Sequence, residues 1–180
     1  VLTLSQSGET FDTIRALKFA KSKGAKTAAI VNVMGSSISR LVDKVILQGS
    51  GPEICVISTK AAFAQMITLT ILALKLSLKK KKIKQREYAA SITALRELPE
   101  VIQNILNERS GFIHRIANNY SKVKNWLYLG RGIYYPIALE SALKMKEVAY
   151  VHAEGMPGGF LKHGTLAMID QDVNSIVFIP

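Results

Sequence analysis

The stretch that decides the fold is VLTLSQSGETFDTIRALKFAKSKGAKTAAIVNV, which occupies residues 1–33. An apolar strand, Val1–Leu4, runs into the polar turn Ser5–Thr10, and apolar residues at helical spacing follow that turn. A second apolar strand lies at residues 27–33 and a third, more mixed one at residues 42–47. Strand, helix and strand at this spacing predict a βαβ unit, and therefore a parallel sheet with a right-handed crossover.

The polar turn after the first strand allows two interpretations. It can cap the helix, with Ser7 as the capping residue and Glu9 or Thr10 in the first helical turn. It can also form an anion pocket, because a helix N-terminus presents free backbone N–H groups and the positive end of the helix dipole. Gly8 would let the backbone approach the anion, and the side-chain donors would be Ser5, Gln6, Ser7 and Thr10. The turn alone leaves both interpretations open.

Composition limits the function classes. With a single cysteine the chain can form no disulfide within itself, and three histidines make a histidine-rich metal site unexpected. The net charge of +11 is compatible with nucleic acid, an anionic membrane surface or a phosphorylated substrate. Part of this charge lies in the lysine run of residues 79–84, which has no interleaved aromatic residues and is typical of a solvated helix end.

An apolar segment, Ala61–Leu78, resembles a membrane span followed by a positive flank. However, Lys60 and Lys75 leave a charge-free run of only 14 residues between them. Crossing the hydrocarbon core of a bilayer takes about 20 apolar residues. The segment is therefore predicted to be a buried core or interface helix. Cys55, between two aliphatic residues, is likewise predicted to be a buried, inert thiol.

The middle of the chain is predicted to be helical, with helices at residues 86–98, 100–108 and 112–123 and a break at Pro99. An apolar stripe along these helices is predicted to face the core, and it consists of Leu95, Leu98, Ile102, Ile105 and Leu106.

The βα pattern restarts near Trp126. It comprises a strand at 126–129, a glycine turn, a helix at 136–151, a glycine-rich segment and a final strand at 175–179. The pattern from residue 126 onward and the pattern at the start of the chain are similar, and each is interpreted as an incomplete copy of one repeat. The chain is therefore expected to be a piece of a larger, two-lobed protein.

Three further features carry candidate chemistry. Gly51–Lys60 (GPEICVISTK) places Ser58 or Thr59 at a helix start. Lys144 and Glu147 are three residues apart and share a helix face, where a surface ion pair is the simplest interpretation. His163 stands in a glycine-flanked loop, from which an imidazole can face a pocket.

Four segments occur together in a specific order: SQSGET, GPEIxVxSTKA, LGRGxxYPxALExALKxKExxYxHAE and LKHGxLAxI. Across the whole chain they resemble the sugar isomerase (SIS) half of the glutamine–fructose-6-phosphate transaminase (isomerizing) family. The resemblance implies an α/β fold, a parallel-sheet αβα sandwich of the SIS type, with parts of two SIS lobes joined by a helical segment. The implied divisions are residues 1–85, the helical connector 86–123 and residues 124–180.

The resemblance also implies a reaction. In that family, ammonia released from glutamine combines with fructose 6-phosphate, and the adduct is isomerised to glucosamine 6-phosphate. Glu147 matches the general base, Lys144 an adjacent lysine that stabilises an oxyanion, and His163 the residue of sugar ring opening. The phosphate would be bound by Ser5, Gln6, Ser7 and Thr10, with Val56 and Ser58 as further substrate contacts.

The implied partners follow the family as well. A cytoplasmic homodimer is expected, with His163 reaching the neighbouring subunit's site, and a glutaminase domain is expected in the full-length chain. No metal, organic cofactor, nucleic acid or membrane partner is implied. The family's Schiff-base lysine would lie beyond Pro180, and a phosphate-binding serine before Val1.

The chain departs from the family pattern at four positions: Ile57 stands where Ala is usual, Ser141 for Gly, Phe160 for Glu and Thr165 for Pro. These departures concern the local shape around His163 more than the identity of that residue. Alternative functions are a non-catalytic sugar-phosphate-binding SIS regulator, a related fructosamine-phosphate deglycase, and a nucleic-acid-binding module.

Overall fold

A computed structural model describes residues 1–179 and divides the chain into two compact units, residues 1–102 and residues 103–180. The first unit contains a three-stranded parallel sheet with the strand order β1-β2-β3. Its elements are β1 (Leu2–Ser5), α1 (Phe11–Ser22), β2 (Ala28–Val31), α2 (Ser37–Leu41) and β3 (Lys44–Leu47). The predicted βαβ unit is therefore confirmed.

The core of the first unit lies where α1 and α2 pack on the sheet. Leu17 of α1 and Ile38 of α2 are fully buried, together with Ala29 and Val31 of β2. Because side chains alternate along a strand, these two β2 residues share one sheet face. The central strand β2 is thus covered on that face by both helices.

The prediction of a buried core helix is wrong for α3 (Thr59–Lys79), and the alternative of an interface helix stays a prediction. Of its residues only Ala61 is buried, and just 6% of its most apolar 18-residue stretch lies inside the structure. With a mean hydropathy of 1.7 over that stretch, α3 is long and apolar enough to cross a membrane by length and composition alone. Core helices of soluble proteins pass the same test of length and composition.

Helix α4 (Gln85–Asn119) runs unbroken through Pro99, so the predicted helix break is wrong. Proline removes one backbone donor, but helix-forming residues stand on both sides and continue the helix across it. The stripe predicted to be core is also wrong, because no residue of α4 is buried. Ile105 and Leu106, for example, are 52% and 53% exposed.

The second unit contains another three-stranded parallel sheet, in the strand order β5-β4-β6. Its elements are β4 (Asn125–Gly130), α5 (Tyr134–Ala149), β5 (His152–Pro157) and β6 (Val173–Val177). Short 3-10 turns occupy Gly158–Phe160 and Thr165–Met168. The sequence analysis missed β5, because glycine and proline within that segment masked the strand pattern.

Helix α5 packs very closely on the second sheet. It presents Ala138 and Ala142, one turn apart and both buried, to a core that includes Trp126 and Tyr128. Opposite them, a Cβ built at Gly155 would lie 2.7 Å from the Leu139 Cα and 2.8 Å from the Ala138 carbonyl oxygen. The small residues on both sides therefore fix the distance between α5 and β5.

We expect Gly155→Ala to lower the free energy of unfolding by about 2 to 4 kcal/mol, because the added methyl group meets backbone that cannot move aside. Gly111→Ala is the matched control, since a Cβ there meets no atom within 4 Å. Within helix α4 that change should instead stabilise by about 0.5 to 1 kcal/mol. Urea unfolding of the three chains measures both effects, and a neutral Gly155→Ala would contradict the packing argument.

Candidate functional site

The polar turn between β1 and α1 is organised by its own hydroxyl groups. Ser5, at the end of β1, is 5% exposed, and its Oγ lies 2.8 Å from the Oγ1 of Thr10. The same Ser5 oxygen accepts a hydrogen bond of 3.0 Å from the Gly8 N–H. The Glu9 N–H donates to the Ser7 Oγ at 3.1 Å. The chain thus folds into a compact loop directly above the sheet edge.

This geometry bears on the capping interpretation of the turn, and the anion pocket stays a prediction. Helix α1 begins at Phe11, and no side chain forms a capping hydrogen bond at its N-cap residue, Thr10. The first N–H groups of α1 are therefore available to a ligand rather than occupied by a serine or threonine cap. Oriented N–H groups at the start of a 12-residue helix, beside three hydroxyls, form a site suited to an anion.

Asn32, which the sequence analysis missed, contacts both predicted binding segments of the first unit. It follows β2, and its backbone N–H donates to the Gln6 carbonyl at 3.1 Å. Its side-chain amide donates to the Gly51 carbonyl at 2.7 Å and accepts from the Ser50 N–H at 3.1 Å. Its position directly after a central parallel strand could have predicted this role, because the carboxyl ends of parallel strands, and the loops that follow them, meet at one edge of the sheet.

Two glutamines extend this polar network toward α3. Gln48, at the end of β3, is 9% exposed and donates to the Ser50 Oγ at 2.9 Å. Gln65 of α3 in turn donates to the Gln48 Oε1 at 3.0 Å. A buried amide requires such partners, so the network fixes the start of the loop that follows β3.

The predicted contacts Val56 and Ser58 lie in this loop and at its junction with α3. The Val56 side chain is 83% exposed, and Ser58 has a left-handed backbone with φ of 51°. Ser58 is the N-cap residue of α3, as predicted, but its side chain makes no capping hydrogen bond. Cys55 is exposed, so its prediction as a buried thiol is wrong. The aliphatic residues around Cys55 belong to an open loop and not to a strand.

In the second unit, Lys144 lies between two carboxylates of α5. Its Nζ is 2.6 Å from the Glu147 Oε2 and 3.5 Å from the Glu140 Oε1. The side chains of Lys144 and Glu147 are only 25% and 27% exposed, so this is not a fully solvated surface pair. Glu140, four residues before Lys144, was missed, although its i,i+4 spacing on the predicted helix was a usable signal.

The charge of Lys144 is stabilised by these neighbours. Burial by itself would lower the pKa of the ammonium group. The hydrogen bond to Glu147 and the charges of Glu140 and Glu147 outweigh that effect, and they raise the pKa of Lys144 above its ordinary value of 10.5. Lys144 is therefore a fixed cation at neutral pH.

His163 lies in the loop between β5 and β6, where the chain forms short 3-10 turns. Its backbone N–H donates to the Phe160 carbonyl at 2.9 Å. Its exposed imidazole stands edge-on to the Phe160 ring, with ring centres 6.0 Å apart. Phe160, which stands where the family pattern has Glu, is thus the residue beside the His163 ring.

The predicted site residues lie in two separate units. Ser5, Gln6, Ser7, Thr10, Val56 and Ser58 belong to the first unit, and Lys144, Glu147 and His163 to the second. Within each unit the structure brings together one set, the polar turn in the first and the Lys144–Glu147 pair in the second. Among residues 1–179, no group of three or more His, Cys, Asp or Glu side chains is arranged to hold a metal ion.

Removal of the Asn32 side chain should loosen the loop after β3. We expect Asn32→Ala to make backbone amide exchange of residues 49–57 about tenfold faster, because two hydrogen bonds to the loop are lost. Exchange within β1 and β2 should not change, since the backbone of residue 32 still binds Gln6. Asn107→Ala is the control, because Asn107 bonds only to Gln103 on the exposed surface of α4. Unchanged exchange in residues 49–57 would refute the anchoring role.

Lys144 should stabilise the fold in a pH-dependent way. A raised folded-state pKa means that its contribution is fully present below 10.5 and is lost as the pH rises through the folded-state pKa. The difference in unfolding free energy between the wild type and Lys144→Met should therefore shrink above about pH 10.5. Chemical denaturation from neutral to alkaline pH measures this, with exposed Lys146→Met as the control. An identical pH trend for both variants would contradict the prediction.

Comparison with known proteins places these features in a family. The SIS domain family profile matches residues 1–75 and 119–179. Glutamine–fructose-6-phosphate aminotransferases [isomerizing] of Chlorobaculum tepidum and Caldanaerobacter subterraneus are 47% and 45% identical over 177 and 170 residues. These matches cover 98% and 94% of the chain, which spans 28% of the length of each relative.

Solved structures agree with this assignment. The C-terminal domain of glucosamine-fructose-6-phosphate aminotransferase from Francisella tularensis is 36% identical, with a TM-score of 0.93 over 99% of the chain and 51% of that structure. Tagatose-6-phosphate ketose/aldose isomerase from Escherichia coli shares the fold, at 18% identity and a TM-score of 0.67, over 99% of the chain and 48% of that structure. The predicted SIS-type α/β fold is thereby confirmed, and the chain belongs to the SIS domain family.

Proposed function

We propose that the chain is part of the isomerase half of a glutamine–fructose-6-phosphate aminotransferase and binds fructose 6-phosphate. The observation that carries this proposal is the uncapped N-terminus of α1 beside the hydroxyls of Ser5, Ser7 and Thr10. A dianionic phosphate monoester matches that set of donors in charge and hydrogen bonding. Relatives of this name, at more than 40% identity over nearly the whole chain, support the same substrate class.

In the proposed binding mode, the first unit holds the phosphate group. Ser7 and Thr10 donate through their hydroxyls, and Ser5 donates to Thr10, so that the Thr10 proton is directed to the phosphate. Gln6 donates through its amide, and the start of α1 through its backbone N–H groups. Val56 and Ser58 contact the sugar from the loop after β3. The polar network from Asn32 to Gln65 supports this assignment, because it ties that loop to the turn.

The second unit supplies the proton transfer in this proposal. Ammonia and the C2 carbonyl of fructose 6-phosphate form a C–N bond, and the carbonyl oxygen leaves as water. Glu147 then takes a proton from C1 and returns it to C2, while the O1 hydroxyl proton passes to the imine nitrogen, which gives the 2-amino aldose. Lys144 stabilises the negative charge that develops on oxygen, and its short contact with Glu147 supports a shared role. Glu140 helps to hold Lys144 in place.

Further parts of the proposal concern the whole protein. We assign His163 to opening of the sugar ring within the neighbouring subunit's site, and this role requires a homodimer. A cytoplasmic location is proposed as well. The amino group comes from a glutaminase domain on the same polypeptide. The proposed division of the chain keeps residues 1–85 and 124–180 as parts of two SIS lobes, with the connector 86–123 between them.

Titration with fructose 6-phosphate and with unphosphorylated fructose tests the proposed function. We expect the phosphorylated sugar to bind at least about tenfold more tightly, because charge-assisted hydrogen bonds to phosphate are the strong contacts of the site. Thr10→Val should remove most of that preference while affinity for fructose stays the same. Thr70→Val is the control, since the Thr70 hydroxyl binds only its own helix at the Met66 carbonyl.

Calorimetry of the wild type and both variants distinguishes the outcomes. Equal affinity of the wild type for the two sugars would refute the phosphate assignment. An equal effect of Thr10→Val and Thr70→Val would show that the Thr10 hydroxyl has no specific role.

A further inference from the structure

The anion-binding turn carries a carboxylate of its own, Glu9, and a free negative charge there would repel a phosphate group. Glu9 is exposed, yet its carboxylate is hydrogen-bonded to the protein backbone. Its Oε1 accepts a hydrogen bond of 2.7 Å from the backbone N–H of Ser37, 28 residues further along the chain. Hydrogen bonding from Ser37 lowers the pKa of Glu9, so the group is ionised at neutral pH.

The neighbouring acceptors of the turn are engaged in the same way. The Gly8 carbonyl accepts from the Ile38 N–H at 2.9 Å, and the Gln6 carbonyl accepts from the Asn32 N–H. All three donors belong to the segment that leaves β2 and enters α2. That segment, residues 32–38, therefore binds three electronegative oxygens of the turn.

Gly8 lets the two segments approach this closely. Its backbone has φ of +70°, and a Cβ at this position would lie 2.0 Å from the Ser36 Oγ and 2.5 Å from the Ser36 Cβ. Ser36 itself is 4% exposed and packs directly against the turn. The close contact is thus between the Gly8 backbone and the short, buried side chain of Ser36.

We propose that Glu9 is a positioning residue for phosphate binding, whose fixation by the Ser37 N–H turns the carboxylate away from the anion. This inference rests on the proposed function of the turn. Glu9 contributes no contact to the ligand. Instead, its bond to Ser37 holds the loop in shape and keeps the negative charge on the α2 side, while hydroxyl and N–H donors remain for the phosphate.

Ser37→Pro tests the bond without removing the carboxylate. Ser37 is the first residue of α2, a position where proline is tolerated because its N–H is not needed within the helix. The preceding residue, Ser36, has φ of −65° and ψ of 163°, the extended conformation that proline requires before it. The substitution therefore removes the donor to Glu9 and leaves the backbone path unchanged.

We expect Ser37→Pro to weaken fructose 6-phosphate binding about tenfold at low salt, because the released carboxylate repels the phosphate. The loss should shrink at about 0.5 M salt, since screening weakens exposed charges. Affinity for unphosphorylated fructose should not change. The double variant Glu9→Gln with Ser37→Pro should recover most of the affinity, and Glu9→Gln alone should bind at least as well as the wild type, because it keeps an acceptor oxygen.

Glu87→Gln is the matched control, because Glu87 also accepts a backbone N–H, that of Lys84, at a distance of 2.6 Å. It should leave both sugar affinities unchanged. Thermal unfolding of each variant identifies any loss of fold, and Glu9→Asp replaces Ser37→Pro if the latter does not fold. Aspartate keeps the charge but is one methylene shorter, so it no longer reaches the Ser37 N–H; its expected loss is about threefold at low salt and smaller at about 0.5 M salt.

Two results would overturn the inference. One is a Ser37→Pro variant that binds fructose 6-phosphate like the wild type. The other is a loss that neither salt nor Glu9→Gln reverses, which would indicate a purely structural effect. If Glu9→Asp has to be used, unchanged binding or a salt-independent loss overturns it. A wild type that binds both sugars equally would instead refute the proposed function itself, so the two failures are distinguishable.

Discussion

Parallel pairing of β2 with β1 and β3 is the constraint on which the rest of the first unit depends. The register aligns Ser5 with Val31 and Val31 with Leu47, so all three strands end at one edge of the sheet. The loops that follow neighbouring strands therefore begin side by side, where residues of one loop can form hydrogen bonds with residues of another. Asn32 uses this alignment directly, because it follows the central strand and bonds to the connections on both sides.

The proposed phosphate site is made from a turn, so it must present donors and remove acceptors. Serine and threonine hydroxyls and the open start of α1 meet the first requirement. The second is met by the segment after β2, whose N–H groups bind the carbonyls of Gln6 and Gly8 and the carboxylate of Glu9. In the second unit, two carboxylates similarly hold one ammonium group, that of Lys144, and raise its pKa. In both arrangements, hydrogen bonds or ion pairs within the protein fix the orientation of a charged group.

Local patterns predicted the elements well where burial and propensity agree. The strand–helix–strand order around the opening turn and the helix that carries Lys144 follow directly from the periodicity of apolar residues. Predictions failed where one residue type was given too much weight. Pro99 does not break α4, glycine and proline do not prevent β5, and aliphatic neighbours do not bury Cys55. In each case the surrounding chain outweighed the single residue.

The sequence by itself determined the family, the polar turn and the presence of a lysine and a glutamate on one helix face, because these depend on residues close together in the chain. Only the tertiary structure decided which distant residues form hydrogen bonds with the turn and with the loop after β3. Asn32 bonds across 19 residues to Gly51, and Glu9 bonds across 28 residues to Ser37. No local pattern encodes such partners, since they meet only after the parallel strands have paired and aligned their carboxyl ends.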